Sequence, residues 1–284
     1  FKASTVITLV GGTIFLMWLG EQITARGVGN GISLIIFAGI VAELPSALAG
    51  TLELGRTGAL SAALIIFLLM MAVVVITVIV FVERAQRRVI VQYPKRQVGN
   101  KMFGGDSSHL PLKINTAGVI PPIFASSLLL LPLTVAGFSA DQGPEWLGIV
   151  TAYLGRGQPV YLLLYSALIA FFAFFYTSVV FNPTETADNL KKNGGFIPGI
   201  RPGKNTADHL DYVLTRITVF GAIYLLAISI LPELLISQYA VPFYFGGTSL
   251  LIVVTVTMDT VAQVQSHLLA HQYEGLIKKS RLRG

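Results

Sequence analysis

The side chains best placed to act on something outside the chain lie in the interval Asn182–Asp211, NPTETADNLKKNGGFIPGIRPGKNTADHLD, a polar stretch between two strongly apolar ones. Pro198-Gly199 and Pro202-Gly203 each suit the centre of a type II turn, proline presetting φ and glycine supplying the positive φ that follows. Two such turns in tandem hold Ile200 and Arg201 at an ordered tip. A mere connector needs no such stiffness, so a guanidinium on this loop reads as a docking element. A second cationic segment, Glu83–Lys113, interleaves Arg84, Arg87, Arg88, Lys95, Arg96 and Lys101 with Val89, Ile90, Val91 and Tyr93. That alternation predicts a short strand or hairpin. An extended basic hairpin suits phosphate backbones or acidic protein surfaces, and membrane topology alone also demands charges of this kind; the residues allow both readings.

Covalent and metal chemistry find little to work with. There is no cysteine, hence no thiol chemistry, disulfide framework or cysteine metal site. No GxxxxGK[ST] phosphate loop is present, so the chain is not expected to hydrolyse nucleotide. His267 and His271 stand four apart on a predicted helical tail, a metal-ligand spacing, but without a third ligand they read as a solvated or packed pair. No cofactor or metal is expected, and the chain is not expected to be an enzyme.

The elements that must carry these loops are membrane helices. Apolar residues make up 54% of the chain and charged residues 12%, with a mean hydropathy of +0.71, which excludes an ordinary soluble domain with roughly a quarter of its residues charged. Runs long enough to cross about 30 Å of hydrocarbon fall at 3–20, 31–49, 59–82, 114–133, 159–181, 213–235 and 246–265. With seven spans the termini lie on opposite sides. One side collects Arg26, the 84–113 block, then Lys191, Lys192, Arg201, Lys204 and Arg216, and the tail Lys278, Lys279, Arg281 and Arg283. The other holds Arg56, Arg156 and Lys2, so the first side is cytoplasmic and an anionic partner approaches from there. Phe1 opens almost directly into an apolar run, with neither an initiator Met nor a signal-peptide pattern, and the chain reads as part of a longer protein.

Within the spans charges are few. Asp259 and Arg216 sit near cytoplasmic ends, within snorkelling reach of water, and Glu43 lies deeper. The carboxylate or histidine cluster of an ion-coupled transporter is absent. Two places break the helical pattern. Arg26–Gly31, RGVGNG, predicts irregular backbone beside a water-filled cavity open to the cytoplasm, with Ile32 and Ile36 one turn apart below it. Those isoleucines fit either an apolar neck or ordinary packing against lipid and protein. Pro121-Pro122, followed by Ala125, Ser126 and Ser127, predicts a kink in the fourth span, either a moving wall or a static bend.

Several segments together carry a resemblance: GEQITARGVGNGIS (20–33), VERAQRRVIVQYPKRQ (82–97), HLPLKINTAGVIPPIFASS (109–127), NPTETADNLKKNGGFIPGIRPGK (182–204) and VPFYFGGTSLLIVV (241–254). The chain resembles, over essentially its whole length, the bacterial SecY family, central subunits of the protein-conducting channel. The resemblance implies an all-α polytopic membrane protein: a helical channel of two inverted halves, of which this chain holds the part from the fourth transmembrane helix to the C-terminal tail. Residues 1–58 are then the end of the N-terminal half, with two transmembrane helices. Residues 59–284 are the C-terminal half, with five, two large cytoplasmic loops at 83–113 and 182–212 and a tail at 267–284. The first three helices and the plug segment lie outside this sequence.

By the same resemblance Ile32, Ile36, Ile123 and Ile252 belong to an apolar pore ring. Pro121, Pro122, Ser126 and Ser127 belong to the wall of a lateral gate through which transmembrane segments pass sideways into lipid. The implied function is passage of unfolded secretory polypeptides across the bacterial plasma membrane. Expected partners are SecE and SecG, the motor ATPase SecA, the ribosome, signal sequences, nascent polypeptides and membrane lipids. Ribosome and SecA contacts are expected at Arg84, Arg87, Arg88, Lys95, Arg96, Lys101, Lys191, Lys192, Arg201 and Lys204. Arg201 matches the family's arginine at the tip of the last cytoplasmic loop. After Gly99, where the family often carries a basic pair, this chain has Asn100-Lys101, which puts Asn100 in doubt as a ribosomal RNA contact. A secondary transporter and a non-conducting receptor are the competing classes; saturable solute uptake would mark the first, and binding unaffected by sealing the spans the second.

Overall fold

In hydrocarbon a backbone must satisfy its own hydrogen bonds, so long apolar runs become helices. The computed structural model describes residues 2–58, 61–94, 96–98, 101–103, 107–138, 152–155, 157–239 and 247–281. In chain order the elements are α1 (Lys2–Arg26), α2 (Gly31–Arg56), α3 (Ala62–Arg84), β1 (Gln86–Gln92), β2 (Arg96–Val98), β3 (Lys101–Phe103), β4 (Ser107–Lys113), α4 (Ile120–Phe138), α5 (Pro159–Val180), α6 (Pro183–Lys192), α7 (Lys204–Tyr239) and α8 (Gly247–Arg281). Six of the described helices are long and apolar enough to cross a membrane, and α4 supplies a shorter apolar helix over Ile120–Val135. The seven expected apolar runs thus all appear as helices.

The fourth run differs from expectation in its start. Pro121 and Pro122 do not interrupt a span; they occupy the first turn of α4, which begins at Ile120. The first amides of a helix have no intrahelical acceptor, so proline there removes no bond, and its fixed φ suits helix initiation. The predicted kink at this pair is therefore corrected to a helix start. The proline inside α4 is Pro132.

Contacts divide the chain into two compact units, one built on Phe1–Ile76 with Ser249–Gly284 and the other on Thr77–Val241. In the first unit α1 packs on α2 through a turn that the glycines make possible. A Cβ on Gly31 would fall on the Gly20 carbonyl oxygen and lie 2.8 Å from Ile23 Cβ, so only glycine allows this approach. Gly31 N donates to Thr24 Oγ1 at 2.8 Å and Gly29 N to Gln263 Oε1 at 2.8 Å. Asn30 caps α2, its Oδ1 accepting from the amides of Ile32 and Ser33. The predicted break in the helix is present over residues 27–30, and within it protein groups satisfy the Gly29 and Gly31 donors.

In the second unit α4 packs on α5 and α5 on α7. α5 buries Tyr161, Tyr165, Ile169, Ala173 and Thr177, one residue every four, which forms a single stripe along a helix. Phe124 of α4 meets Phe172 and Tyr176 of α5, ring centroids 5.8 and 5.5 Å apart. The predicted strand pattern in the first loop is realised: β1 and β4 pair antiparallel from Gln86↔Lys113 to Gln92↔Ser107, and Val89 and Val91 are buried while Ile90 between them is exposed.

Candidate docking platform and pore-lining residues

The two cationic loops, far apart in sequence, share one core. Val89 and Leu112 from the β1–β4 hairpin cluster with Ile197 from the second loop and with Leu210, Val213 and Ile217 of α7; Leu110, Ile114, Phe181 and Ile200 pack around them. Backbone joins them too: Gln92 N donates to the Phe196 carbonyl at 2.8 Å, and Phe196 N to the Gln92 carbonyl at 2.9 Å. Burying these side chains stabilises by roughly 1.5–3 kcal/mol for each large aliphatic. That is ample to hold two loops as one platform.

The tip of the second loop has the turn that its sequence predicts. Ile200 N donates to the Ile197 carbonyl at 3.1 Å, and Gly199 between them has φ +81°, the geometry of a type II turn. The second pair behaves differently: Gly203, at φ +108°, offers its carbonyl to the amides of Thr206 and Ala207 and so leads into α7. Thr206, buried at the start of α7, donates its hydroxyl to the Arg201 carbonyl at 3.1 Å. Arg201 is exposed with its backbone anchored. Sequence reasoning did not single out Thr206, and a Thr just inside a helix start is a signal available in any such loop.

Lys204 is the first residue of α7 and is exposed. A cation there opposes the helix dipole. Lys191 and Lys192 have the opposite setting, in the last turn of α6, where positive charge is favourable. α6 is capped by Asn182, whose Oδ1 accepts from the amides of Thr184 and Glu185, with Pro183 in the first turn. Arg84, Arg87 and Arg88 are exposed at the base of the hairpin, next to the end of α3. Arg96 in β2 and Lys101 in β3 lie in its outer, two-stranded part, with Arg96↔Phe103 and Val98↔Lys101 as partners. Lys95, Gly99 and Asn100 lie outside the described residues.

Where the hairpin rejoins the membrane helices, Asn115 is buried and its Nδ2 donates to Glu83 Oε1 at 2.7 Å and to the Gly118 carbonyl at 3.0 Å. This contact, which ties the end of α3 to the strand leading into α4, was not legible from spacing. Arg216 stacks its guanidinium over the Tyr212 ring, 4.3 Å from the centroid, consistent with an interfacial position.

Among the apolar residues singled out by sequence, Ile32 and Ile36 of α2 are 49% and 39% exposed, whereas Ile252 of α8 is only 6% exposed. Ile123 is half-buried in the first turn of α4. Its carbonyl accepts from both Ser126 Oγ at 2.9 Å and Ser127 Oγ at 2.8 Å, so the two hydroxyls are satisfied within their own helix and cost little on an apolar wall. Pro121 and Pro122 are fully buried. Among the described residues no group of three or more His, Asp or Glu side chains is placed to hold a metal.

Membrane-length helices and a folded platform of two cationic loops define a polytopic membrane protein. The SecY family model matches residues 1–261, and the chain belongs to the SecY family. It is 59% identical over 283 residues to the protein translocase subunit SecY of Rickettsia conorii, covering 100% of this chain and 65% of that protein. Against the SecY of Escherichia coli K12 identity is 55% over 285 residues, 100% of this chain and 64% of the relative. The chain therefore spans somewhat under two thirds of these relatives. Its fold is similar to a solved protein-conducting channel, with a TM-score of 0.58 at 20% identity over 90% of this chain and 63% of that one. A SecY structure described for its plug domain gives 0.57, also at 20% identity, over 90% and 64%.

Proposed function

We propose that this chain forms the C-terminal part of the pore-forming subunit of a protein translocation channel in the bacterial plasma membrane. The observation that carries the reading is the joined platform of two cationic loops on membrane-length helices, in a chain of the SecY family. Lys204 stands where it weakens its own helix, and Arg201 is exposed on an anchored turn; such placements serve a partner rather than the fold. Together with Lys191, Lys192 and the hairpin cations they make the cytoplasmic docking face for SecA and the ribosome. SecE and SecG complete the membrane complex. Energy comes from those partners or from the proton-motive force, and this chain performs no catalysis.

In the full channel Ile32, Ile36, Ile123 and Ile252 contribute to an apolar constriction. Branched aliphatic side chains hold little water when the pore is idle and adapt to an extended polypeptide without demanding particular hydrogen bonds. The α4 wall bearing Ser126 and Ser127 forms part of the lateral gate, where a signal sequence shifts the channel toward opening by binding the open state more tightly. The test is cross-linking in proteoliposomes, with single cysteines at Ile36, Ile123 and Ile252 in the full-length channel and a stalled secretory chain as target. All three positions are expected to cross-link; reaction confined to the loops would leave a docking receptor without a conduction path.

A further inference from the structure

The turn between α1 and α2 is clasped by a residue far along the chain. Gly29, buried in that turn at φ +94°, donates its amide to Gln263 Oε1 of α8 at 2.8 Å. A Cβ on Gly29 would lie 3.5 Å from Thr260 Oγ1 and 3.1 Å from Leu34 Cδ1, so the turn fits between α8 and the start of α2. The Thr260 hydroxyl is directed at its own helix, donating to the Val256 carbonyl at 2.7 Å, and Gln263 is the acceptor for the turn. Gln263 follows Ile252 by eleven residues and Val256 by seven. At about 100° per residue both fall within roughly 20° of it around the helix, so one face of α8 carries all three, and Ile252 and Val256 are buried. At the other end of the bond Asn30, next to Gly29, caps α2, and Ile32 lies in the first turn of that helix. Phe1–Ile76 and Ser249–Gly284 fall in one compact unit. The Gly29–Gln263 bond thus ties the start of the helix bearing Ile32 and Ile36 to the face of the helix bearing Ile252.

From this geometry we infer that Gln263 is a positioning residue for the proposed apolar constriction, a role that rests on that reading of Ile32, Ile36 and Ile252. Its side-chain oxygen pins the α1–α2 turn to α8 and so fixes how far the α2 isoleucines stand from Ile252. An apolar neck excludes water and ions only while its side chains leave no room for a wetted path. Apolar contact is non-directional and lets one helix slide on another, whereas a hydrogen bond has a preferred length and angle and sets the register. Glycine suits the donor because a positive φ costs it nothing and its bare backbone can lie against Thr260. Without the acceptor the buried Gly29 amide is left without a partner, and the molecule relieves that by lifting the turn off α8 toward water.

The test uses the full-length protein in its complex, reconstituted in proteoliposomes, with two readouts: hydrogen exchange of the peptide over 27–34, and ion flux through idle channels with no secretory chain present. Gln263→Leu removes the acceptor at similar volume. It is expected to speed exchange of the Gly29 amide and to raise idle flux, each roughly tenfold, the population shift that one unmade buried hydrogen bond produces. Gln263→Glu keeps an oxygen at the same reach and is expected to leave both readouts at wild type. Gln265→Leu adds the same apolar surface on another face of α8 and is expected to change neither. A glutamine with a merely structural role would lower the thermal midpoint on Gln263→Leu without moving idle flux, and that result would overturn the positioning role. Unchanged exchange over 27–34 in Gln263→Leu would overturn the bond itself, and equal flux from Gln263→Glu and Gln263→Leu, both raised, would show that the side chain does not act as an acceptor. Ile36→Asn tests the constriction by itself. Raised flux in Ile36→Asn beside wild-type flux in Gln263→Leu overturns the role of Gln263 alone, whereas wild-type flux in both removes the constriction and the role of Gln263 with it.

Discussion

Replacing Leu210 with alanine tests whether the two loops are one body. Leu210 is 0% exposed, in the cluster that contains Val89 and Leu112 of the hairpin and Ile197 of the second loop. Truncation at such a sealed site costs about 2–5 kcal/mol, the lost transfer energy plus the cavity left behind. Even the lower figure raises the population of locally opened molecules roughly 30-fold. Because Leu210 belongs to α7 while the hairpin lies about a hundred residues earlier, the cost reaches β1 and β4 only if their burial depends on this shared core. Hydrogen exchange read by mass spectrometry on the full-length protein is the assay, comparing peptides over 86–92, 107–113 and 195–210. All three are expected to exchange faster by a similar factor, with the α5 stripe at Ile169 and Ala173 unchanged. Faster exchange over 195–210 with an undisturbed hairpin would refute the coupling, and the loops would then be separate bodies that merely touch.

Two glycine substitutions separate steric from conformational need. Gly31→Ala drives a methyl into the Gly20 carbonyl and Ile23 and should destabilise by about 1–3 kcal/mol, lowering the thermal midpoint, while Gly39→Ala in the same helix, with open space around it, should be neutral or raise it. A midpoint unaffected by Gly31→Ala would mean that α1 and α2 need not approach so closely. Gly199→Ala meets no atom within 4 Å, so its cost is that of a non-glycine residue at φ +81°, about 1–2 kcal/mol. The Ile200 amide should exchange at least fivefold faster; unchanged protection would show that the turn is held by its surroundings.

Much of this protein is legible in its residues because membrane and turn chemistry act locally. An apolar run of about twenty residues becomes a helix whatever its neighbours are, so all seven runs could be placed, and Pro198-Gly199 dictated a turn because proline fixes its own φ and glycine admits the positive φ that follows. The alternation through Val89, Ile90 and Val91 likewise predicted a strand. Local reasoning went astray at Pro121-Pro122, where the same residues that kink a helix also begin one, and only the path of the preceding chain distinguishes the cases. At Arg26–Gly31 the irregular backbone was legible, but glycine reports a close approach without naming what approaches; the partner atoms on Gly20 and Ile23 are a product of packing.

Tertiary structure alone decided that the hairpin and the Pro-Gly loop share Leu210, that Asn115 meets Glu83, and that Gln263 reaches the Gly29 amide. None of these pairs has a spacing to read, because contacts across roughly thirty to over a hundred residues depend on where whole helices end in space, whereas helix formation and turn geometry depend on each residue's own backbone and its nearest neighbours.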